Sequence, residues 1–423
     1  MIRRTLGLAG PLALSALASA FAALVERVFL SRYSDVAVAA ALPGDVLAGT
    51  FAALVVATVS YSSTFVARFH GAGRGERAVA AFAQGLWLVA ATVPLFALAV
   101  PLGRLYLDHA GHAPELAAAE KAFFEIVVPS GALTALGAVE AGLFLGRGRA
   151  RLVAAVTAAS CLLEIALVRL LVFGAGPLAP MGVVGAGWAR VVSAAFVALA
   201  LVPPIWRDGL VRVNRAAFGF DPGLMRRLIA QGLPEGVKSF VGSIAFLAFV
   251  TVAGRLDAAA LAVGSVCFAV NNFYGVVERA IAQAVTILVG RARGAGDEEG
   301  MRSAVRCGFI LVGVSAALFF AVVIPVHTGL ARTLYWVFLL RGLCEGAYLV
   351  LDSALKGVGD TRFTMVAEIA AELLVWTPAV FLVLGLAPSV VALYLTMPLW
   401  LAAGAAAFAV RWRGGRWRKC AVV

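Results

Sequence analysis

Twelve apolar runs, each close to the length of a membrane crossing, dominate this chain. They fall at about 6–30, 38–66, 79–102, 120–145, 152–174, 182–205, 228–253, 259–290, 304–325, 331–355, 363–384 and 388–410. A helix needs about 20 apolar residues to cross the hydrocarbon core. Lipid offers no partner to an unpaired backbone group, and no period-two barrel pattern is present. Every run is therefore expected to be helical. Composition agrees, with 62% apolar and 14% charged residues in 423. Ordinary soluble domains carry about 25% charge, and a soluble chain of this size could not bury so much apolar surface. Lipid must cover the outside.

The net charge of +12 is distributed by side of the membrane, which excludes a nucleic-acid surface. Alternate connectors hold Arg68, Arg74 and Arg77; Arg147, Arg149 and Arg151; Arg207, Arg212, Arg215, Arg226 and Arg227; Arg291, Arg293, Arg302 and Arg306; and Lys356 and Arg362. Arg3 and Arg4 precede the first run, and Arg411 to Lys419 follow the last. The opposite loops carry only Arg32, Arg104, Arg255 and Arg332. This bias orients the chain with both termini in the cytoplasm and an even number of spans. Ala18-Ser19-Ala20 resembles a signal-peptide cleavage site, but the run continues to Leu30, so it is expected to stay as the first span.

The chain also contains itself twice. Val66-Ala67-Arg68-Phe69-His70-Gly71-Ala72-Gly73 reappears 223 residues later as Val289-Gly290-Arg291-Ala292-Arg293-Gly294-Ala295-Gly296. The same offset carries Pro11 onto Pro234, while an offset of 211 carries Gly146, Gly148 and Arg151 onto Gly357, Gly359 and Arg362. The expected fold is an all-α membrane protein of twelve helices in two six-helix lobes. Six is even, so both copies enter the membrane alike, related by a pseudo-twofold along its normal. Expected divisions are 1–206 and 228–411 for the lobes, a cytoplasmic linker at 207–227 with the turn signal Asp221-Pro222-Gly223, and a basic tail at 412–423.

Ionised groups inside spans cost at least about 2.5–3.5 kcal/mol each, so they must face a cavity or one another. Cations at such positions are Arg27, Lys121, Arg169, Arg190, Lys238, Arg279 and Arg341; acids are Glu26, Glu125, Glu140, Glu164, Glu235, Glu278, Glu345, Asp352, Glu368 and Glu372. Glu26 taken alone reads equally as an interfacial residue reaching headgroup water. Arg341 and Glu345, at i and i+4, share a helix face and are expected to pair, as do Glu368 and Glu372 as a stack of two carboxylates. Arg279 or Lys238 would neutralise a neighbouring glutamate. Glu164 and Arg169 lie too far apart around their helix to pair, and Arg190 is a suitable partner for Glu164. The second lobe keeps more acid than cation, and that surplus can take protons or a metal ion. Asn271, Asn272, Glu278, Arg341, Glu368 and Glu372 are candidate cavity residues. Phe240, Phe268, Phe273, Tyr274, Tyr348 and Trp376 are candidate apolar lining.

Cys161, Cys267, Cys307, Cys344 and Cys420 are scattered without CxxC spacing, indicating neither a disulfide frame nor a structural zinc site. His70, His109, His112 and His327 lie in or beside loops. No HExxH or GxSxG motif occurs, and the basic Gly-Ala-Gly turns lack a phosphate-loop pattern. No enzyme activity and no cofactor are expected.

Several motifs together resemble the multidrug and toxic compound extrusion (MATE) family of the multidrug/oligosaccharidyl-lipid/polysaccharide flippase superfamily. They are Pro11; Glu26-Arg27-Val28-Phe29-Leu30-Ser31-Arg32 before Ala37-Val38-Ala39-Ala40; Gly182-Val183-Val184-Gly185-Ala186; and Lys356-Gly357-Val358-Gly359-Asp360-Thr361. The chain departs from the family pattern in having Glu26 for aspartate, Glu164 for asparagine with Val168-Arg169 following, and Val241-Gly242-Ser243 where some members carry an acid. The resemblance implies a monomeric secondary antiporter in a bacterial cytoplasmic membrane. It would export amphipathic or cationic organic compounds in exchange for H⁺ or Na⁺ by alternating access. It also implies Glu26, Glu345 and Glu164 as cation-coupling acids, with transient Na⁺ at Glu345. The alternative within the superfamily is a flippase for lipid-linked oligosaccharide or another lipid.

Overall fold

The computed structural model describes residues 1–109, 114–174, 179–253, 258–386 and 389–419; His112, Arg255 and Cys420 fall outside them. Twelve long helices run in order: α1 (Ile2–Tyr33), α2 (Asp35–Gly71, with a turn at Tyr61), α3 (Gly75–Asp108), α4 (Pro114–Gly146), α5 (Ala150–Phe173), α6 (Gly182–Arg207), α7 (Pro222–Ala253), α8 (Ala258–Gly294), α9 (Glu298–Val326), α10 (Gly329–Val358), α11 (Thr361–Leu386) and α12 (Val390–Arg413). Eleven meet both length and hydropathy requirements for a crossing among the described residues. The remaining helix, α7, is 32 residues long, or about 48 Å at 1.5 Å per residue, and completes the twelve. The helices begin where the sequence supplies acceptors for free N–H groups. Ser34 Oγ accepts from Val36 N, Asp297 from Gly300 N and Ser389 Oγ from Ala392 N.

The duplication is written into the backbone. Gly73 and Gly296, 223 residues apart, have φ of 72° and 73°; Gly148 and Gly359, 211 apart, have 74° and 95°. Glycine is the residue that adopts this left-handed conformation without strain, so the repeated glycines close the same turns twice. Packing repeats as well. Helix α4 lies against α2, α3 and α6, and α10 lies against α8, α9 and α12.

The helices sort into two compact units. One comprises Leu14–Val66 with Arg74–Phe240, the other Met1–Ala13, Ala67–Gly73 and Val241–Val423. Their bounds therefore depart from the expected halves at 1–206 and 228–411. Helix α1 changes unit just past Pro11 and α7 a few residues past Pro234. The end of α2 belongs with the second unit because Arg68, 1% exposed, donates from Nε to Gly357 O (2.9 Å) and from Nη2 to Lys356 O (3.0 Å).

The connector after α6 forms a short helix (Gly209–Val213) and a 3-10 turn (Arg215–Phe218), tied to the first unit. Gln84 of α3 donates to Gly219 O and accepts from Asp221 N, at 2.9 and 3.1 Å, and Trp87 Nε1 donates to Phe218 O. Asp208 accepts from Arg147 at 2.7 Å, Arg149 at 2.8 Å and Leu210 N at 3.0 Å. Arginines of the basic connectors thus also fasten a loop. Burial opposes ionisation of Asp208, but Arg147, the Leu210 N–H and Arg149 outweigh it and hold the carboxyl below its ordinary 3.8. A depressed acid contributes stability above its unfolded pKa, and loses it as pH falls through its folded value. Asp208→Asn should cost about 1–2 kcal/mol at neutral pH. Thermal melting in detergent should show that gap in full above pH 3.8 and closing in more acid buffer.

Candidate functional site

Among the described residues, each unit holds buried charged side chains along its long helices. In the first, Glu26 on α1, Asp45 on α2 and Arg190 on α6 meet. Glu26 is 2% exposed. Arg190 Nη2 donates to both its oxygens at 2.9 and 3.1 Å and to Asp45 Oδ2 at 3.3 Å, while Nη1 donates to Asp45 Oδ1. The Phe123 ring of α4 lies 5.7 Å from the guanidinium carbon. Glu26 therefore does not reach for headgroup water. The hydrogen bonds of Arg190 also go elsewhere than to Glu164, which is half-buried on α5 and acts on Arg190 and Glu26 through space. Arg169, exposed, lies over Phe173 at 4.8 Å.

Asp45 is the residue that sequence reading missed. It lies inside the second apolar run, where its charge is the available signal, but it follows Pro43-Gly44, a pair that reads as a turn. In the structure the helix passes straight through Pro43. The expected ends of α4 are ordinary: Lys121 pairs with Asp108 and Glu125 with Arg104.

The second cluster lies along α8, α10 and α11. Arg341 Nη2 is 2.8 Å from Glu345 Oε2, the expected i,i+4 pair, and its guanidinium carbon is 5.6 Å from the Phe268 ring. Lys356 holds Asp352 at 2.8 Å. Elsewhere, Lys238 is 3.7 Å from Glu235, as anticipated for a neighbouring glutamate. Glu278, on α8, is 0% exposed and neither of its oxygens has a hydrogen-bond partner. Its Oε1 lies against Gly346 of α10, 3.1 Å from where a Cβ would stand. Tyr274, one turn earlier, fits against Gly342 in the same way. Glycines four apart thus form a notch on α10 that admits the polar face of α8.

Glu368 accepts from Tyr348 Oη. Glu372 opens a π-turn, Glu372–Trp376, closed by the Thr377 N–H to Glu372 O. Pro378 has no N–H to donate back into the helix, which explains why the register loosens there. The Glu372 carboxylate points toward Gly242 of α7, with Oε1 3.8 Å from the position of a Cβ. Of the cavity candidates, Asn271, Glu278, Glu368 and Glu372 are buried and Arg341 is half-buried, whereas Asn272 is exposed. Trp376, Tyr274 and Tyr348 are buried, Phe268 and Phe240 half-buried, and Phe273 exposed. Trp376 stacks on Phe249 (5.6 Å, 25°) and donates to Thr396 Oγ1 at 3.0 Å.

A twelve-helix, internally duplicated membrane protein with a buried charge cluster in each repeat is a polytopic transporter. The MatE family model matches residues 11–170 and again 234–381. The two matches begin 223 residues apart and end 211 apart, the offsets of the internal repeat, and the chain belongs to the MATE family. Among curated relatives, it is 27% identical over 389 residues to the probable multidrug resistance protein NorM of Bradyrhizobium diazoefficiens, covering 85% of this chain and 82% of that one. It is 25% identical to the multidrug resistance protein PmpM of Pseudomonas aeruginosa, with 88% and 81% covered. Among solved structures it resembles an outward-facing multidrug resistance MATE family transporter (TM-score 0.87, 16% identity, 99% and 97% covered). It also resembles the eukaryotic MATE transporter AtDTX14 (TM-score 0.85, 17% identity, 99% and 96% covered).

The notch on α10 makes a direct test of packing. A methyl at Gly346 would overlap Val312 and press on the Glu278 carboxylate, whereas one at Gly313 of α9 would meet nothing within 4 Å. Gly346→Ala should destabilise by about 1–3 kcal/mol, read as a lowered melting temperature in detergent. Gly313→Ala should leave that temperature unchanged or raise it.

Proposed function

We propose that the protein is a secondary antiporter that exports amphipathic, cationic organic compounds in exchange for H⁺ or Na⁺. It works as a monomer in a bacterial cytoplasmic membrane with both termini in the cytoplasm. Alternating access exposes the site to each side of the membrane in turn. The multidrug resistance names of NorM and PmpM support the substrate class, and the distribution of arginines supports the orientation.

One observation carries the reading: Glu26 is a carboxylate buried within a crossing helix, and Arg190 of α6, which donates to it, also donates to Asp45 of α2. An acid so placed can gain and lose a proton while its surroundings rearrange. Titration then biases the conformational equilibrium by the difference in its affinity for the proton between the two states. Glu164 of α5 is a second, half-buried acid in the same unit. In the second unit, Glu345 is the candidate for transient Na⁺, which would have to displace Arg341 from it. With Glu278, Asp352, Glu368 and Glu372 in the same unit, the acids on α8, α10 and α11 outnumber the cations Arg279, Arg341 and Lys356 beside them within those spans. This balance favours organic cations over the anionic phosphate of a lipid-linked sugar, the alternative cargo within the superfamily.

The test is dye efflux from liposomes driven separately by proton and sodium gradients. Glu26→Gln should lower proton-driven efflux to that of protein-free liposomes while the variant still folds, as judged by size-exclusion profile and melting. Full proton-driven efflux by the variant would remove Glu26 from the mechanism.

A further inference from the structure

Arg190 is shared by two acids from different helices, and a single ion pair would not need both. Its Nη2 serves Glu26 at 2.9 and 3.1 Å and Asp45 at 3.3 Å; its Nη1 serves Asp45 alone. The division is unequal in kind. If Glu26 takes a proton on one oxygen, Nη2 loses a charged acceptor while Nη1 keeps its own. The guanidinium is then still paired, which matters because an unpaired charge at this depth is costly. Without Asp45, the same protonation would strand Arg190.

The other charged groups around Glu26 are few. Arg27 follows it on α1 and is exposed, and Glu164 of α5 is half-buried. On the α4 side the ring of Phe123 flanks Arg190. The charged groups that meet at Glu26 are thus Arg190, which donates to both its oxygens, and Asp45, which shares that arginine.

We propose that Arg190 is a positioning residue for exchange, a tethered counter-cation that releases Glu26 when Glu26 binds a proton and remains on Asp45. It links α6 to α1 and α2 with Glu26 ionised, and to α2 alone with Glu26 protonated. No bond other than O–H is made, and the proton comes from the gradient. The inference rests on Glu26 as the coupling acid.

The two partners should act with opposite sign. Removing Asp45 leaves Arg190 wholly to Glu26 and removes a negative neighbour, so protonation becomes harder. Removing Arg190 leaves two acids facing each other, so protonation becomes easier. The experiment measures proton-driven ethidium efflux from liposomes across pH. Asp45→Asn is expected to move the midpoint to lower pH by half a unit or more, and Arg190→Gln to higher pH by a similar amount. Arg190→Lys keeps the charge but loses the fork, and should shift it less, in the alkaline direction. Where a variant does not fold, Asp45→Ser replaces the first and Arg190→Lys alone carries the second. Shifts of the same sign, or lost activity at an unmoved midpoint, would overturn the proposal. Glu26→Gln separates the two failures. If that variant still couples to protons, the coupling assignment is at fault. If it does not, while Asp45 and Arg190 variants shift alike, only the role of Arg190 falls.

Discussion

Hydrocarbon supplies no hydrogen bonds, and nearly everything in this structure answers that constraint. Backbone groups are satisfied inside helices, as the bilayer requires. Some side-chain charges are held in tight local arrangements: Asp352 by Lys356 one turn away, Glu345 by Arg341 one turn before, and Glu235 by Lys238 three residues on. Such i,i+3 and i,i+4 pairs neutralise a charge within one helix and need no other part of the fold. The charges that reach across helices are different in kind. Glu26, Asp45 and Arg190 come from α1, α2 and α6, so their pairing depends on how three helices are arranged, and a change in pairing has somewhere to be felt.

The duplication explains why the same solutions recur. Gly73 and Gly296 turn the chain alike after α2 and α8, and Gly148 and Gly359 do so after α4 and α10. Gly71 and Gly294 show a second use of glycine. In the second unit, Gly294 packs directly on the backbone carbonyl of Arg68, and Gly71 on that of Arg291. Those two arginines are themselves repeat partners, so each copy uses its glycine to receive the other's arginine backbone. This reciprocity is the geometry expected when a surface meets its own duplicate. It accounts for the glycine kept at Gly71 and Gly294, where a side chain would meet the facing carbonyl.

The amount of this legible in sequence follows from the range of each interaction. Helix number, order and approximate ends were readable, because a crossing needs a long apolar run and that signal is local. The paired Arg341 and Glu345 were readable for the same reason. What is not local stayed hidden. Nothing along the chain says that Arg190 would bond to residues 145 and 164 positions earlier instead of to Glu164 nearby. Asp45 carries a charge inside the second apolar run, but nothing local says that it meets an arginine of α6. The π-turn at Glu372 leaves a trace only in Pro378, and a proline near a helix centre more often signals a kink. The compact units diverge from the sequence halves because the start of α1, the end of α2 and the end of α7 are assigned by packing, which is not local in sequence.

The two buried clusters differ in a way that bears on mechanism. In the first, every acid that bonds to Arg190 has that cation in reach, so a proton arriving there exchanges one electrostatic partner for another. In the second, Glu278 has no exposure and no hydrogen bond to either oxygen, and Gly346 leaves room beside it and little else. A carboxylate in that position is costly if ionised and unpaired. It is tolerable when neutral, or when a cation reaches it through movement of α8 against α10. A transporter built by duplication therefore does not hold two equal sites. One copy holds its acids on a shared arginine, and the other keeps a buried acid, Glu278, that is hydrogen-bonded neither to Arg279 beside it on α8 nor to Arg341 of α10.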